Sequence, residues 1–212
     1  MVLVDRPHGE TYGDDEKPNR DAPPEPLHAE SPAEQHREHE VFDDVGPFAR
    51  ALSLDENDFD PRNMPVQLVS TGLPWAICPV RTREAVERAS GNATAFQELT
   101  KILPKDVLDL YVTCLQPLDS SSTTHSRGLS LVGRNIVEDP ATGSASGCLG
   151  AYLVHRCLVP PRRSVGIINE QGYEIGRASK VEIQVTTSDK GDIESVRVGG
   201  TTVQVMDGFV YL

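Results

Sequence analysis

The chain has 212 residues, a formal net charge of −12 and 38% hydrophobic residues, enough for one large domain or two small ones. Thirteen acids oppose four Lys and Arg within the first 44 residues, which leaves about −3 for the rest and no basic stripe or stacking platform, so nucleic acid is not an expected partner. No apolar run approaches membrane-spanning length and the opening MVLVDRPHGE lacks a signal-peptide core, so a cytoplasmic protein with no membrane partner is expected.

Residues 1–44 are rich in Pro, Asp, Glu and His and nearly free of large apolar side chains. Such a segment cannot bury enough surface to offset chain entropy, which predicts an acidic, Pro-rich disordered arm before a globular lobe over 45–212. Within the arm, HREHE (His36 to Glu40) has metal-ligand residue types but fits a solvated charged tail better, and no metal is expected. PFARALSLDENDF (Pro47 to Phe59) predicts a short helix and an acidic turn. VQLVSTGLPWAICPV (Val66 to Val80) predicts two strands joined by a tight turn at Gly72 and Pro74. TREAVERA and TAFQELTKIL have helical spacing, the second ending at Pro104. VLDLYVTCLQPL reads as a buried strand, DSSSTTHSRG as a polar loop, and LSLVG as the next strand. His125, in that loop, could face a pocket or the surface. After the central segment, SVGIINEQG, KVEIQVTTS, IESVRVGG, TTVQVM and GFVYL alternate as a largely antiparallel ending. Cys78, Cys114, Cys148 and Cys157 lie in or beside apolar runs without a CxxC pair, which favours buried reduced thiols over a disulfide framework or a zinc site.

The central segment EDPATGSASGCLGAYLVH (Glu138 to His155) is different. From Ser144 to about Cys157 it predicts a helix with no polar face, which must be buried on all sides. Small residues at spacings of three and four let a sheet approach closely, so a sheet wrapped around this helix follows. Thr142 or Ser144 can cap it, and Gly143 lets the chain turn into it. Its first N–H groups lack partners and carry the positive end of the helix dipole, which suits an anionic ligand. Asp139 sits just upstream, able to exchange a proton or hold an ammonium. On residue types alone a capped helix after an ordinary acidic turn fits as well. A phosphate loop does not fit, because no Gly-Lys-Ser/Thr follows.

EDPATGS with its apolar helix resembles the signature of the PhzF family, phenazine-biosynthesis-type isomerases that share the diaminopimelate epimerase fold. STGLPWAICPV, NEQGYEIGRASKVEIQV and VRVGGTTVQVMDGFVYL resemble further family blocks in the same order, so the likeness spans about residues 47–212. It implies an α/β (α+β) lobe in which a curled, mostly antiparallel sheet surrounds the apolar helix. It also implies a biosynthetic, cofactor-independent proton shift on a small carboxylic acid. By this resemblance Asp139 and Ser144 are the catalytic residues. Thr142, Gly143, Gly72 and Pro74 contact substrate, with the N–H groups of Gly143 and Ser144 on its carboxylate. Cys148 lies about one turn inside the helix, which speaks against a two-thiol mechanism. Glu138 is expected to be structural, and Gln171 and Gly172 to shape a turn rather than touch ligand.

The chain departs from the family pattern in one large way. The family's first lobe, with its acid/base glutamate and Gly-His-Pro motif, has no counterpart here, and Val132 and Asn135 replace a usual proline and glycine. The expectation is therefore a second lobe with a polar arm, a fragment or an incomplete gene product, inactive alone, whose partner is a missing lobe or a second copy. A catalytically silent small-acid-binding or assembly module is the rival reading.

Overall fold

The computed structural model describes residues 27–32, 36–104, 107, 109–160 and 162–201. Its strands are β1 (Leu27–Pro32), β2 (His36–Phe42), β3 (Val66–Thr71), β4 (Pro74–Pro79), β5 (Asp109–Cys114), β6 (Thr124–Val132), β7 (Asn135–Asp139), β8 (Ser164–Gln171), β9 (Ser179–Thr187) and β10 (Ile193–Gly200). Its helices are α1 (Gly46–Leu52), α2 (Arg83–Arg88), α3 (Ala93–Leu99) and α4 (Gly143–His155). The strands make one sheet in the order β1-β10-β9-β8-β6-β5-β4-β3-β2, with β7 paired to β6. Only β4–β5 and β6–β8 run parallel among these pairs.

Helix α4 touches β3 and β4 toward one end of this order and β8, β9 and β10 toward the other. The sheet therefore curls around it, as the absent polar face requires. Nine of its thirteen residues are buried. Gly147 and Gly150 make the approach possible: a Cβ on Gly150 would lie 2.5 Å from Cγ2 of Ile183, and one on Gly147 would lie 2.9 Å from Oγ1 of Thr71.

Alternation along the strands divides the apolar residues between two cores. Val69, Trp75, Ile77 and Tyr111 point inward with Val165, Ile167, Val181, Ile183 and Val185 to enclose α4. Leu68, Ala76, Cys78, Leu110 and Val112 point outward, where α1, α2 and α3 cover them with Phe48, Leu52, Val86 and Phe96. Strands β3 to β5 are thus covered on both faces and buried along almost their whole length, whereas β9 alternates buried with exposed residues.

Three expectations need correction. The arm predicted through Asp44 overlaps two strands: β1 pairs with β10, and β2, which contains HREHE, pairs with β3. Backbone N–H and C=O groups can join a ladder whatever the polarity of their side chains, and composition does not register this. Residues 1–26 lie outside the described residues, as do those from 202 onward, where the last two predicted strands fall. Second, the polar loop before LSLVG ends early, because β6 already begins at Thr124 between β5 and β8. Third, Cys157 is exposed, in a left-handed conformation (φ 54°) just past α4, while the other three thiols are free and buried. Among the described residues no helix is long and apolar enough to cross a membrane, and no group of three or more His, Cys, Asp or Glu is placed to hold a metal.

Candidate functional site

Strand β7 ends at Asp139, and the chain turns through Pro140 and Ala141 into α4 with Thr142 at the N-cap. Thr142 does not cap the helix with its side chain. Its hydroxyl donates instead to Oδ2 of Asp139 at 2.8 Å. The first turn of α4 is thereby left without a side-chain cap at an exposed Gly143. Asp139 and Ala141 are exposed as well, so the positive end of the helix dipole opens to solvent beside a carboxylate.

The β3–β4 turn closes one side of this opening. Its Gly72 is exposed with φ 124°, a conformation that disfavours any side chain, and Pro74 follows half-buried as the first residue of β4. The turn lies against α4: the Cys148 thiol donates to the carbonyl of Leu73 at 3.5 Å, and Trp75 Nε1 donates to Oγ of Ser144 at 3.1 Å. Half-buried Ser144 therefore accepts a hydrogen bond from the indole and keeps its own proton to offer. Burial pushes the Cys148 thiol up to about 11, against hydrogen bonding that includes the Thr71 hydroxyl. It is a poor proton carrier at neutral pH.

All six residues expected at the site, Asp139, Ser144, Thr142, Gly143, Gly72 and Pro74, thus come to the start of α4 or the turn packed along it. Their roles are not alike. Thr142 is buried and its hydroxyl already serves Asp139, whereas Gly143 and Ser144 remain accessible.

Behind the opening lies a buried polar network that sequence reasoning did not anticipate. The side-chain amide of Gln171 donates to the carbonyl of Asp139 at 2.7 Å and to Oγ1 of Thr142 at 2.8 Å. Its oxygen accepts from the Thr142 N–H at 3.0 Å and the Tyr111 hydroxyl at 2.7 Å. Tyr111 in turn accepts from Nδ2 of Asn169 at 2.7 Å, and Thr124 and Ser126 each donate to Oδ1 of Asn169 at 2.7 Å. Burial holds the Tyr111 phenol well above its ordinary range, so it stays a donor. The available signal was a run of polar residues, Asn169-Glu170-Gln171, at the end of a strand whose inward positions are otherwise apolar.

His125 does not join this network. Its neighbours Thr124 and Ser126 face Asn169, so alternation sends its ring to the other side of the sheet. There it is fully buried, with Nδ1 3.1 Å from Glu170 and Nε2 2.7 Å from Glu174. Burial alone would lower the imidazole pKa, but the Glu174 and Glu170 carboxylates outweigh it and raise it above the usual value. Glu170 also accepts from the backbone N–H groups of Leu118 and Asp119, which pins the loop before β6. Glu138 is structural: it forms a two-pronged pair with Arg127 at 2.6 and 3.0 Å, and Arg127 ties down carbonyls at the end of α2.

Comparison with known proteins agrees with this architecture. The chain is 33% identical over 156 residues to the uncharacterized isomerase YfhB of Bacillus subtilis, covering 74% of this chain and 50% of the relative. It is 31% identical over 155 residues to the uncharacterized isomerase YddE of Escherichia coli, covering 72% and 50%. The chain thus spans about half the length of the curated relatives it matches. A PhzF-family phenazine biosynthesis protein of Bacillus anthracis superposes with a TM-score of 0.72 at 26% identity, over 82% of this chain and 56% of that one. A predicted epimerase of Pseudomonas aeruginosa superposes with a TM-score of 0.58 at 32% identity, over 82% and 55%. The family model for phenazine biosynthesis-like proteins matches residues 30–208, and the chain belongs to this PhzC-PhzF family.

Proposed function

We propose that this chain forms the substrate-positioning half of a cofactor-independent isomerase site for a small carboxylic acid. The observation that carries the reading is the uncapped, solvent-open start of α4 beside Asp139. The N–H groups of Gly143 and Ser144 and the Ser144 hydroxyl hold the substrate carboxylate, using donors and a dipole that already point outward. Asp139 orients the substrate or couples a proton to it. The Gly72–Pro74 turn bounds the cleft.

Moving a proton on carbon also needs a base within hydrogen-bond reach on a defined face of the substrate. By family resemblance that base is a glutamate of the other lobe, which also closes the cleft against water. Exposed Leu73 and Ile175, in the turns that flank the opening, suit cover by such a lobe or by a second copy. The 212-residue chain alone should therefore bind small carboxylic acids weakly and turn none over. Deuterium exchange into cyclohexadienyl carboxylic acids, followed by NMR with the purified chain, tests this. Binding without exchange is expected. Exchange abolished by Asp139→Asn would show that these residues suffice, and failure to bind any such acid would remove the reading.

A further inference from the structure

We propose that Gln171 is a positioning residue for Asp139: its amide closes the Asp-Pro-Ala-Thr loop and directs the Thr142 hydroxyl proton onto the Asp139 carboxylate. The functional meaning of this relay rests on the reading of Asp139 as the site carboxylate. The relay itself rests on hydrogen-bond polarity alone.

The orientation of the Gln171 amide is fixed by its backbone partners. A carbonyl can only accept and an N–H can only donate, so Nε2 must face Asp139 O and Oε1 must face Thr142 N. The other partners of this buried side chain agree, including Tyr111, which donates to Oε1. The polarity then propagates. Thr142 Oγ1 accepts from Nε2, and its single proton is left to go to Oδ2 of Asp139, 2.8 Å away. A threonine at an N-cap ordinarily turns its oxygen toward the helix amides. Here Gln171 and Asp139 occupy that oxygen, so the same relay that orients Asp139 keeps the first turn of α4 uncapped.

The surrounding backbone leaves room for this arrangement and little else. A Cβ on Gly128, opposite Asp139 on β6, would lie 2.8 Å from Thr142 Oγ1 and 3.3 Å from Gln171 Nε2. Gly172 has φ 79°, and a Cβ there would lie 2.7 Å from the carbonyl of Pro140. Two glycines thus admit the loop and the amide at contact distance, one on β6 and one just past the end of β8.

Selective 13C labelling of aspartate carboxyl groups in the 212-residue chain tests the relay, with Asp139→Asn assigning the Asp139 resonance. Thr142→Val keeps the volume and removes the hydroxyl; it should move that resonance. Gln171→Met should move it too, and should add less in the Thr142→Val background, where only its bonds to the Asp139 carbonyl and the Thr142 N–H remain to be lost. Gln171→Glu keeps size and shape but replaces the donor with a second acceptor, so it should divert the Thr142 proton and act in the same direction if the methionine variant folds poorly. Affinity for benzoate, read from the fluorescence of Trp75, should fall about tenfold in Gln171→Glu, the scale of one charge-assisted hydrogen bond. An Asp139 resonance unmoved by Gln171→Glu, or a Gln171 effect that persists undiminished beside Thr142→Val, would overturn the proposal. Wild-type chain that fails to bind benzoate while the NMR pattern holds would instead count against the carboxylate site and leave the relay standing.

Discussion

Replacing Gly150 by Ala is the sharpest test of a helix enclosed by the sheet. Alanine favours a helix interior over glycine by about 1 kcal/mol, so on an open face the change would stabilise. At Gly150 the new methyl would stand 2.5 Å from Cγ2 of Ile183 and 3.2 Å from Cγ2 of Val185. Both partners are β-branched and buried on β9, so neither can rotate away freely. Overpacking of this kind costs about 1–3 kcal/mol, and the helix gain offsets part of it. The net expectation is a loss of up to about 2 kcal/mol, or up to roughly 8 °C in Tm for a chain of this size. Urea unfolding followed by the single tryptophan, Trp75, measures it. A cycle with Ile183→Ala locates the cause: that truncation leaves Cβ 3.7 Å from the new methyl, an ordinary contact, so Gly150→Ala should cost much less in its presence. Gly143→Ala, whose Cβ meets nothing nearer than 3.9 Å, should be neutral within about 0.5 kcal/mol. Equal effects at Gly150 and Gly143 would mean that β9 does not press on α4 and that the enclosing sheet is wrong.

The His125 cluster predicts a pH window. His125 is raised above 6.5, so its contribution is complete below that value and fades as pH climbs through the raised one. Glu170 and Glu174 are held below 4.5, where hydrogen bonds to Leu118 and Asp119 for the first and to His125 for the second outweigh burial; their contribution is complete above 4.5 and fades as pH falls through the lowered values. Stability from this cluster should peak between about pH 4.5 and 6.5, and urea midpoints of Glu174→Gln should fall less steeply on the alkaline side than those of the wild type. Cys157 is exposed, whereas burial pushes the Cys78 thiol far up and Cys114 and Cys148 up to about 11. A maleimide should label one thiol rapidly in the native chain and four after unfolding, and rapid labelling of Cys148 would mean that α4 is not enclosed. Asp139→Ala should change the urea free energy by less than about 1 kcal/mol, because an exposed carboxylate contributes little packing, while it weakens retention of a substrate ammonium or proton in a complete enzyme by about a hundredfold in turnover. Unchanged turnover would reduce Asp139 to a turn residue.

Burial was legible in the sequence where periodicity reports it directly. The all-apolar run through Leu149 and Leu153 could only be an enclosed helix, and the alternation of Val181, Ile183 and Val185 could only be a strand with one wet face. The burial of β5 was legible in VLDLYVTCLQPL, whereas the two-sided cover of β3 and β4 was not read from their sequence. The start of β6 was not legible, because Thr124, His125 and Ser126 are polar and yet fully buried. What buries them is a set of partners, Asn169, Glu170 and Glu174, that lie more than forty residues away along the chain. Pattern shows which face of an element turns inward; it does not show which polar group waits there.

The same distinction explains why the site was half visible. Asp139, Gly143 and Ser144 lie within six residues of one another, and their spacing alone brings a carboxylate to a helix start. The residues that give this start its surroundings come from β5, β8 and β4: Tyr111 and Gln171 decide where the Thr142 proton goes, and Trp75 decides what Ser144 accepts. An ordinary acidic turn before a capped helix and an anion-binding site share one local sequence. They differ in the side chain that occupies the Thr142 hydroxyl, and only the folded sheet supplies it. A turn whose N-cap threonine bonded its own helix would leave Asp139 unheld and the first amides satisfied. With Gln171 in place both are reversed, so on the proposed reading the difference between a structural turn and a binding site comes down to the direction of one hydroxyl proton.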